Sequence, residues 1–342
     1  MNPTQLTGYA KTYAPEVHLY PADANPYDPC SADWYLDNVN LVIPATKTTY
    51  RPPINRSDLP TTVCTDQPAP YLEIPDPAVR NGKLNTAVAY CHIVNVPNVP
   101  DTYDLQYWMF YAIRGLSTLR LQVVASGTEY DQDLLAPADS GYAGLGEHQG
   151  DWKHATVRID EQGQVQGVFY GQHTGGFWLP ARCVPVNDQG QPIVYSAHNT
   201  HSCFPVPGKY NQEGSTFTIH GYLTASLLED AAEDGPVWNC AKDLLVVDGD
   251  IPSWITYAGQ WGPTFEEHID VATAENILND ILPHLPSTLK QQVENDRSDV
   301  LNDLISMLTR VLGHEQSGPS TPSYQDPWTK GDGGSPTATS LP

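Results

Sequence analysis

The chain has 342 residues, with 17 Lys+Arg against 40 Asp+Glu, a formal charge of −23, and only 17% of residues charged. That length can bury a full core in one large or two ordinary domains, while a balance this negative repels phosphate backbones and anionic headgroups, excluding nucleic-acid or membrane binding through a basic patch. The 31 Pro, 26 Gly, 19 Tyr and 8 Trp fit a β-rich, loop-heavy extracellular protein, and no apolar run approaches the roughly 20 residues of a membrane-crossing helix.

In chain order, residues 1–84 carry too many prolines for long helices or central strands and read as an ordered wrap with short edge strands, belonging to the same domain as residues 85–265. Residues 85–265 alternate in short runs at 86–94, 103–113, 119–125, 152–159, 164–170, 192–197 and 216–222. Turn chemistry at 160–163 and 188–190 separates neighbouring runs, so the expected fold is mainly β, an antiparallel β-sandwich. From 266 to 314 the period becomes helical. Ile277, Leu278, Ile281, Leu282 and Leu285 share one face, and Val300, Leu301, Leu304, Ile305, Leu308, Val311 and Leu312 another, with Ser298 placed to cap the second group and Gly313 to end it. Residues 315–342, rich in Ser, Pro, Gly and Thr, read as a disordered tail.

Six widely spaced cysteines with no CxxC pair argue for disulfides rather than zinc. Short loops favour Cys183 with Cys203 and Cys30 with Cys64, leaving Cys91 with Cys240. The start of the chain has neither a basic nor an apolar leader region, so the expectation is a secreted protein whose signal peptide has been removed. Asn55-Arg56-Ser57 is an acceptor triplet for glycosylation.

Three segments carry candidate chemistry. In YDLQYWMFY (103–111), Asp104, Gln106, Trp108 and Phe110 point to one face of a strand and the tyrosines with Leu105 and Met109 to the other. Gln106 becomes a buried amide that either makes a structural hydrogen bond or touches a ligand. In GEHQGDWKH (146–154), His148, Asp151, Trp152 and His154 crowd a glycine-rich loop and strand. QHTGG (172–176) and YSAHNTHSCFP (195–205) each end a strand in a turn bearing His173, or His198 and His201. Three such ends can converge on one site. No GxSxG elbow, HExxH, P-loop, dinucleotide fingerprint or EF-hand loop is present.

These segments, in this order over about 90–210, resemble the vacuolar protein sorting-associated protein 62 family, as does YAPEVHL (13–19) in the N-terminal wrap; the resemblance implies a fold more than an activity. The glycine-rich loop is also similar to that of the necrosis- and ethylene-inducing toxins, secreted β-sandwiches that bind a divalent cation and plant sphingolipids. By that similarity His148 and Asp151 match two metal ligands, but Gly150 stands in place of a His and Lys153 in place of a Glu. An ammonium there would repel a cation by about 4 kcal/mol per unit-charge pair at 4 Å and an effective ε of 20. No metal is therefore expected, and Lys153 is expected to pair with Asp151 or Glu147.

The resulting expectation is a small-molecule ligand, aromatic or terpenoid-like, held in a His/Asp/Trp pocket with no cofactor. Histidine can donate, accept and shuttle protons near neutral pH, which suits a cyclisation, elimination or cycloaddition of the lyase or cyclase type. His148, Asp151, His154 and His201 are the candidate catalytic residues. Gln106, Trp108, Trp152, His173, Trp178 and His198 are the candidate binding residues. The alternatives are a lipid-binding toxin acting on membrane lipid and a sorting or interaction protein.

Overall fold

The alternating runs at 103–114 and 148–159 form two long strands paired antiparallel along their length. They are the centre of a computed structural model that describes residues 1–63, 68–116, 118–125, 128–133, 146–173, 175–212, 216–219, 223–266, 271–312 and 315–336. The main path of the seven-stranded central sheet is β1 (Ala89–Asn95), β2 (Tyr103–Arg114), β3 (His148–Ile159), β4 (Val165–Gln172), β5 (Gly175–Pro180) and β6 (Leu244–Val246), in the spatial order β5-β4-β3-β2-β1-β6, and the short strand Pro29–Cys30 pairs with β2 off this path. All neighbours are antiparallel except β6 on β1. Every residue of β2 is buried, as expected of a central strand that is apolar on both faces. The turn after β3 closes as its sequence requires: Gly163 takes φ +77° and the Asp160 carboxylate accepts from the backbone N–H of Gln162 and Gln164.

One face, the sandwich face, packs Tyr107, Met109, Tyr111, Ala155 and Val157 against Val17, Val194, Cys203 and Trp238. Those partners belong to a four-stranded sheet of Cys203–Phe204, Ile193–Ser196, Glu16–His18 and Val237–Asn239. The opposite face packs Trp108, Phe110 and Trp152 against Tyr35, Leu41, Leu72, Trp254 and Trp261. On this tryptophan face, each large aromatic removes about 150–250 Å² from water, and Trp108, Trp254 and Trp261 are fully buried. The runs at 119–125 and 216–222 do not join the central sheet. Thr118–Ala125 and Thr216–Ile219 belong to a separate antiparallel sheet organised around Leu223–Ala232.

The Pro-rich N-terminal region contains short strands, and it adds a helix that proline counting hides. In α1 (Pro3–Thr12), Asn2 and Gln5 form a reciprocal capping box with Pro3 at the first turn, and the Ala10 carbonyl accepts from the Tyr107 hydroxyl at 2.8 Å. α2 (Ala32–Leu36) sends Tyr35 and Leu36 into the tryptophan face. Past residue 270 come α3 (Val271–Ile281), α4 (Ser287–Asn295) and α5 (Arg297–Leu312), the last starting one residue ahead of Ser298; Gly313 lies outside the described residues.

Two expectations are corrected. Residues 315–336 of the expected disordered tail are part of the fold: Glu315–Ser317 pairs with Thr264–Glu266, Thr321 and Pro322 are buried, and α6 (Asp326–Lys330) comes after them. Anchors that composition does not weigh, Trp328 and Asp332 above all, hold this segment. The paired cysteines are not found either: Cys30, Cys91, Cys183, Cys203 and Cys240 are free thiols, Cys183 exposed and the others buried, while Cys64 lies outside the described residues. The buried thiols act as small apolar core residues. Of the features that suggest an oxidising compartment, the acceptor Asn55 is exposed, and its side chain accepts from the Ser57 backbone N–H.

Candidate functional site

Asp151 and Lys153, two apart on β3, share the sandwich face, and both are buried. The Lys153 ammonium donates to Asp151 Oδ1 at 2.9 Å. Glu147, the other expected partner, pairs instead with Arg80 at 2.6 Å. Asp151 Oδ2 lies 2.9 Å from His201 Nδ1. A carboxylate only accepts, so Nδ1 carries the proton and Nε2 is left with its lone pair. That Nε2 is buried and has no hydrogen-bond partner. The imidazole lies flat on the Tyr111 ring, with centroids 3.8 Å apart, and the Tyr111 hydroxyl meets Ser196 Oγ at 3.0 Å.

The turn that presents His201 is held from several sides. The His201 N–H bonds to the Ala197 carbonyl and the Gly115 N–H to the Asn199 carbonyl, and Thr200 Oγ1 donates to Asp230 at 2.6 Å. Asn199 and His201 take positive φ, 59° and 56°. A non-glycine residue persists there only when its surroundings over-determine it, a pattern that clusters at functional sites.

Electrostatics divides the roles. Burial acts to raise the Asp151 pKa, but the Lys153 charge and the His201 hydrogen bond overcome it and hold the carboxyl well below the usual carboxylate range. Burial depresses His201 despite its bond to Asp151, and pushes His148 down to about 4, with Arg114 and Lys153 acting the same way against Asp151. His173 is held well below its ordinary value by burial and by Arg114, Lys153 and His148. The cluster therefore sets one carboxylate beside the Lys153 ammonium and the Arg114 guanidinium, among imidazoles that burial pushes toward the neutral form. Among the described residues, no group of three or more His, Cys, Asp or Glu is arranged to hold a metal ion.

The sheet divides the pocket expected from sequence. His148, Asp151 and His201 come together with His173 electrostatically linked to them, whereas His154, Gln106, Trp108 and Trp178 lie on the tryptophan face. There His154 Nε2 meets Asp332 Oδ1 at 2.7 Å and stacks on Trp108 at 4.4 Å. Gln106 donates to the Pro327 carbonyl at 2.6 Å, a structural bond, and the Trp178 indole donates to the Gly333 carbonyl at 2.9 Å. Trp152 packs in the aromatic core. His198 Nε2 meets the Ala24 carbonyl at 3.0 Å and its ring lies against Tyr20. A cleft of about 500 Å³ opens beside β3 and β4, lined by Trp152, Lys153, His154, Phe169, His173 and Asp332 among others. Sequence reasoning missed Arg114, Tyr111 and Asp332: Tyr111 reads as an ordinary strand residue, Arg114 lies one residue past the predicted run, and Asp332 sits in the segment expected to be disordered.

A family model described as vacuolar protein sorting-associated protein 62 matches residues 1–332. No curated protein matches the chain. Two solved structures described as "Toxin fold as basis for microbial attack and plant defense" and "Toxin fold for microbial attack and plant defense" are similar at 11% and 12% identity with TM-scores of 0.29 and 0.31, each comparison covering 72% of this chain and 77% of that one. A third, "NLPPya in complex with mannosamine", is 10% identical over 70% of this chain and 72% of that chain, with a TM-score of 0.29. Likenesses this distant carry no residue of the site across.

Proposed function

The chain belongs to the vacuolar protein sorting-associated protein 62 family, and within it we propose a protein that binds a small organic molecule and moves a proton on it through the Asp151–His201 pair. The carrying observation is the His201 Nε2 lone pair, buried and unpartnered. A buried acceptor without a donor is costly, and a donor on a ligand relieves that cost. Asp151 sets the tautomer and orients the ring, as a carboxylate does behind a general base. Tyr111 fixes the ring plane. Lys153 and His173 line the cleft and also act on Asp151 or its neighbours, which supports that cleft as the ligand's approach. The chemistry within reach is abstraction of a hydroxyl or carbon-bound proton leading to cyclisation or elimination.

The test uses 4-nitrophenol, whose yellow phenolate band reports loss of its proton. Binding to the full chain should lower the phenolate fraction below that in buffer at the same pH, because an imidazole held toward its neutral form by burial accepts the phenol's hydrogen bond without taking up its proton at equilibrium, and His201→Ala and His201→Gln should abolish the decrease. An unchanged decrease in a folded His201→Ala protein sinks the proposal.

A further inference from the structure

The tryptophan face carries a second polar cluster that the Asp151–His201 pair does not use. Asp332 is buried within an otherwise exposed or half-exposed run from Gly331 to Pro336, and its carboxylate side chain is fully enclosed. His154 Nε2 lies 2.7 Å from Oδ1, and Thr156 Oγ1 donates to Oδ2 at 2.5 Å. Arg158 is committed to Asp104 through two bonds of 2.7 and 2.8 Å and lies over the Trp178 ring at 4.2 Å. It also reaches the main-chain carbonyls of Asp332 and Gly334 at 3.5 and 3.3 Å.

The two sides of this contact differ in how firmly they are held. The donors stand on one face of the buried strand β3 at alternate positions 154, 156 and 158, with His154 stacked on Trp108. The acceptor comes from a glycine-rich strap with Gly331 and Gly334 at φ +74° and +87°. Among the described residues, the backbone–backbone hydrogen bonds of the strap beyond Pro322 stay within it or its own start: Tyr324 to Thr321, Gln325 to Pro322 and Gly331 to Pro327. Its remaining hold on the sheet is through side chains, Gln106 to the Pro327 carbonyl, Trp178 to the Gly333 carbonyl and Trp328 on His92, and a segment with no main-chain ladder to the sheet opens locally before the core does. Asp332 and His154 also wall the 500 Å³ cleft, with Phe169 as an apolar surface beside them.

We propose that His154 and Thr156, backed by Arg158, form a carboxylate-binding site that Asp332 fills in cis, and that the small molecule of the cleft bears a carboxylate which exchanges with it. This rests on the reading that the cleft admits a small organic molecule, and adds its chemical class. Exchange of one carboxylate for another keeps both buried donors satisfied, whereas a neutral amide offers one acceptor and turns an N–H toward the second donor. A ring on the incoming molecule would lie along Phe169.

Lys330 provides the readout. It is the only Lys or Arg after Arg310, it is exposed, and it ends α6, so trypsin reaches the bond after it when the strap leaves the sheet. With the full chain, sodium benzoate should accelerate cleavage at Lys330 saturably and benzamide should not. Asp332→Asn should raise basal cleavage about tenfold or more, the loss of one charge-assisted hydrogen bond, and should bind benzoate more tightly than the parent. Thr156→Val, checked for an intact melting transition, should blunt the benzoate effect. Benzoate no more effective than benzamide, or cleavage in Asp332→Asn that merely tracks global unfolding, overturns the proposal. His201→Ala should leave the benzoate response intact while losing the 4-nitrophenol response, so the two readings fail separately.

Discussion

His201 lies on Tyr111 with ring planes 3° apart, while its Nδ1 bonds Asp151 at 2.9 Å. The carboxylate sets where the imidazole proton sits and the phenol ring sets which way the free nitrogen aims. The same carboxylate also neutralises a buried ammonium, so one residue supports both the candidate chemistry and the local charge balance.

Asp151→Asn should therefore cost more than a lost hydrogen bond, because it leaves the Lys153 ammonium buried without its counter-charge. A loss of about 3–5 kcal/mol is expected, read as the shift in a urea unfolding curve. Adding Lys153→Met should recover much of it. A double variant no more stable than Asp151→Asn would mean that the two side chains are energetically independent.

Acid should destabilise the fold before the ordinary carboxylate range is reached. His148 has a folded pKa of about 4 against an ordinary 6.5, so the unfolded chain binds the extra proton between those values. Its stabilisation is complete above pH 6.5 and is lost as the pH falls toward 4, amounting to about 3 kcal/mol. His201 and His173, also depressed, act with the same sign. His148→Gln should flatten the stability–pH slope in that window, and an unchanged slope would contradict the assignment.

Native thiol titration should find Cys183 reactive among the five described cysteines, since Cys30, Cys91, Cys203 and Cys240 are buried. Burial pushes the Cys203 thiol up to about 12, so little thiolate is available to react. In denaturant the remaining thiols should titrate. Protection of Cys183 in the native state, removed by reductant, would indicate a disulfide after all.

Replacing Arg158 by Met should leave Asp104 fully enclosed beside Asp332 with no counter-charge, a destabilisation of about 3–5 kcal/mol. Pairing it with Asp104→Asn should be milder, because both charges then go together. Thermal melts of the single and double variants measure the coupling.

Much of the central sheet was legible because period-two alternation and a turn such as 160–163 are local signals. β2, β3 and β4 fall where those patterns place them. The tethering of Asp151 to Lys153 was legible too, since residues two apart on a strand share a face. What alternation alone did not deliver was the partition of the site. The same rule that joins Asp151 to Lys153 sends His154 to the other side, but a cluster of histidines close in sequence invites the assumption of one hollow. The strap was missed for a different reason. Its order comes from a few side chains, with Trp328 stacked on His92 and Asp332 bound by β3, and average composition is blind to isolated anchors.

Because Asp151 and His154 stand three residues apart on opposite faces of one continuous strand, the length of this stretch is as informative as its letters. Removing or adding a single residue between them would make their spacing even and bring both side chains to one face, stripping one compartment of its residue. Relatives should therefore differ here by replacement and hardly ever by insertion or deletion, so gap placement in this one stretch is a record of whether both compartments matter.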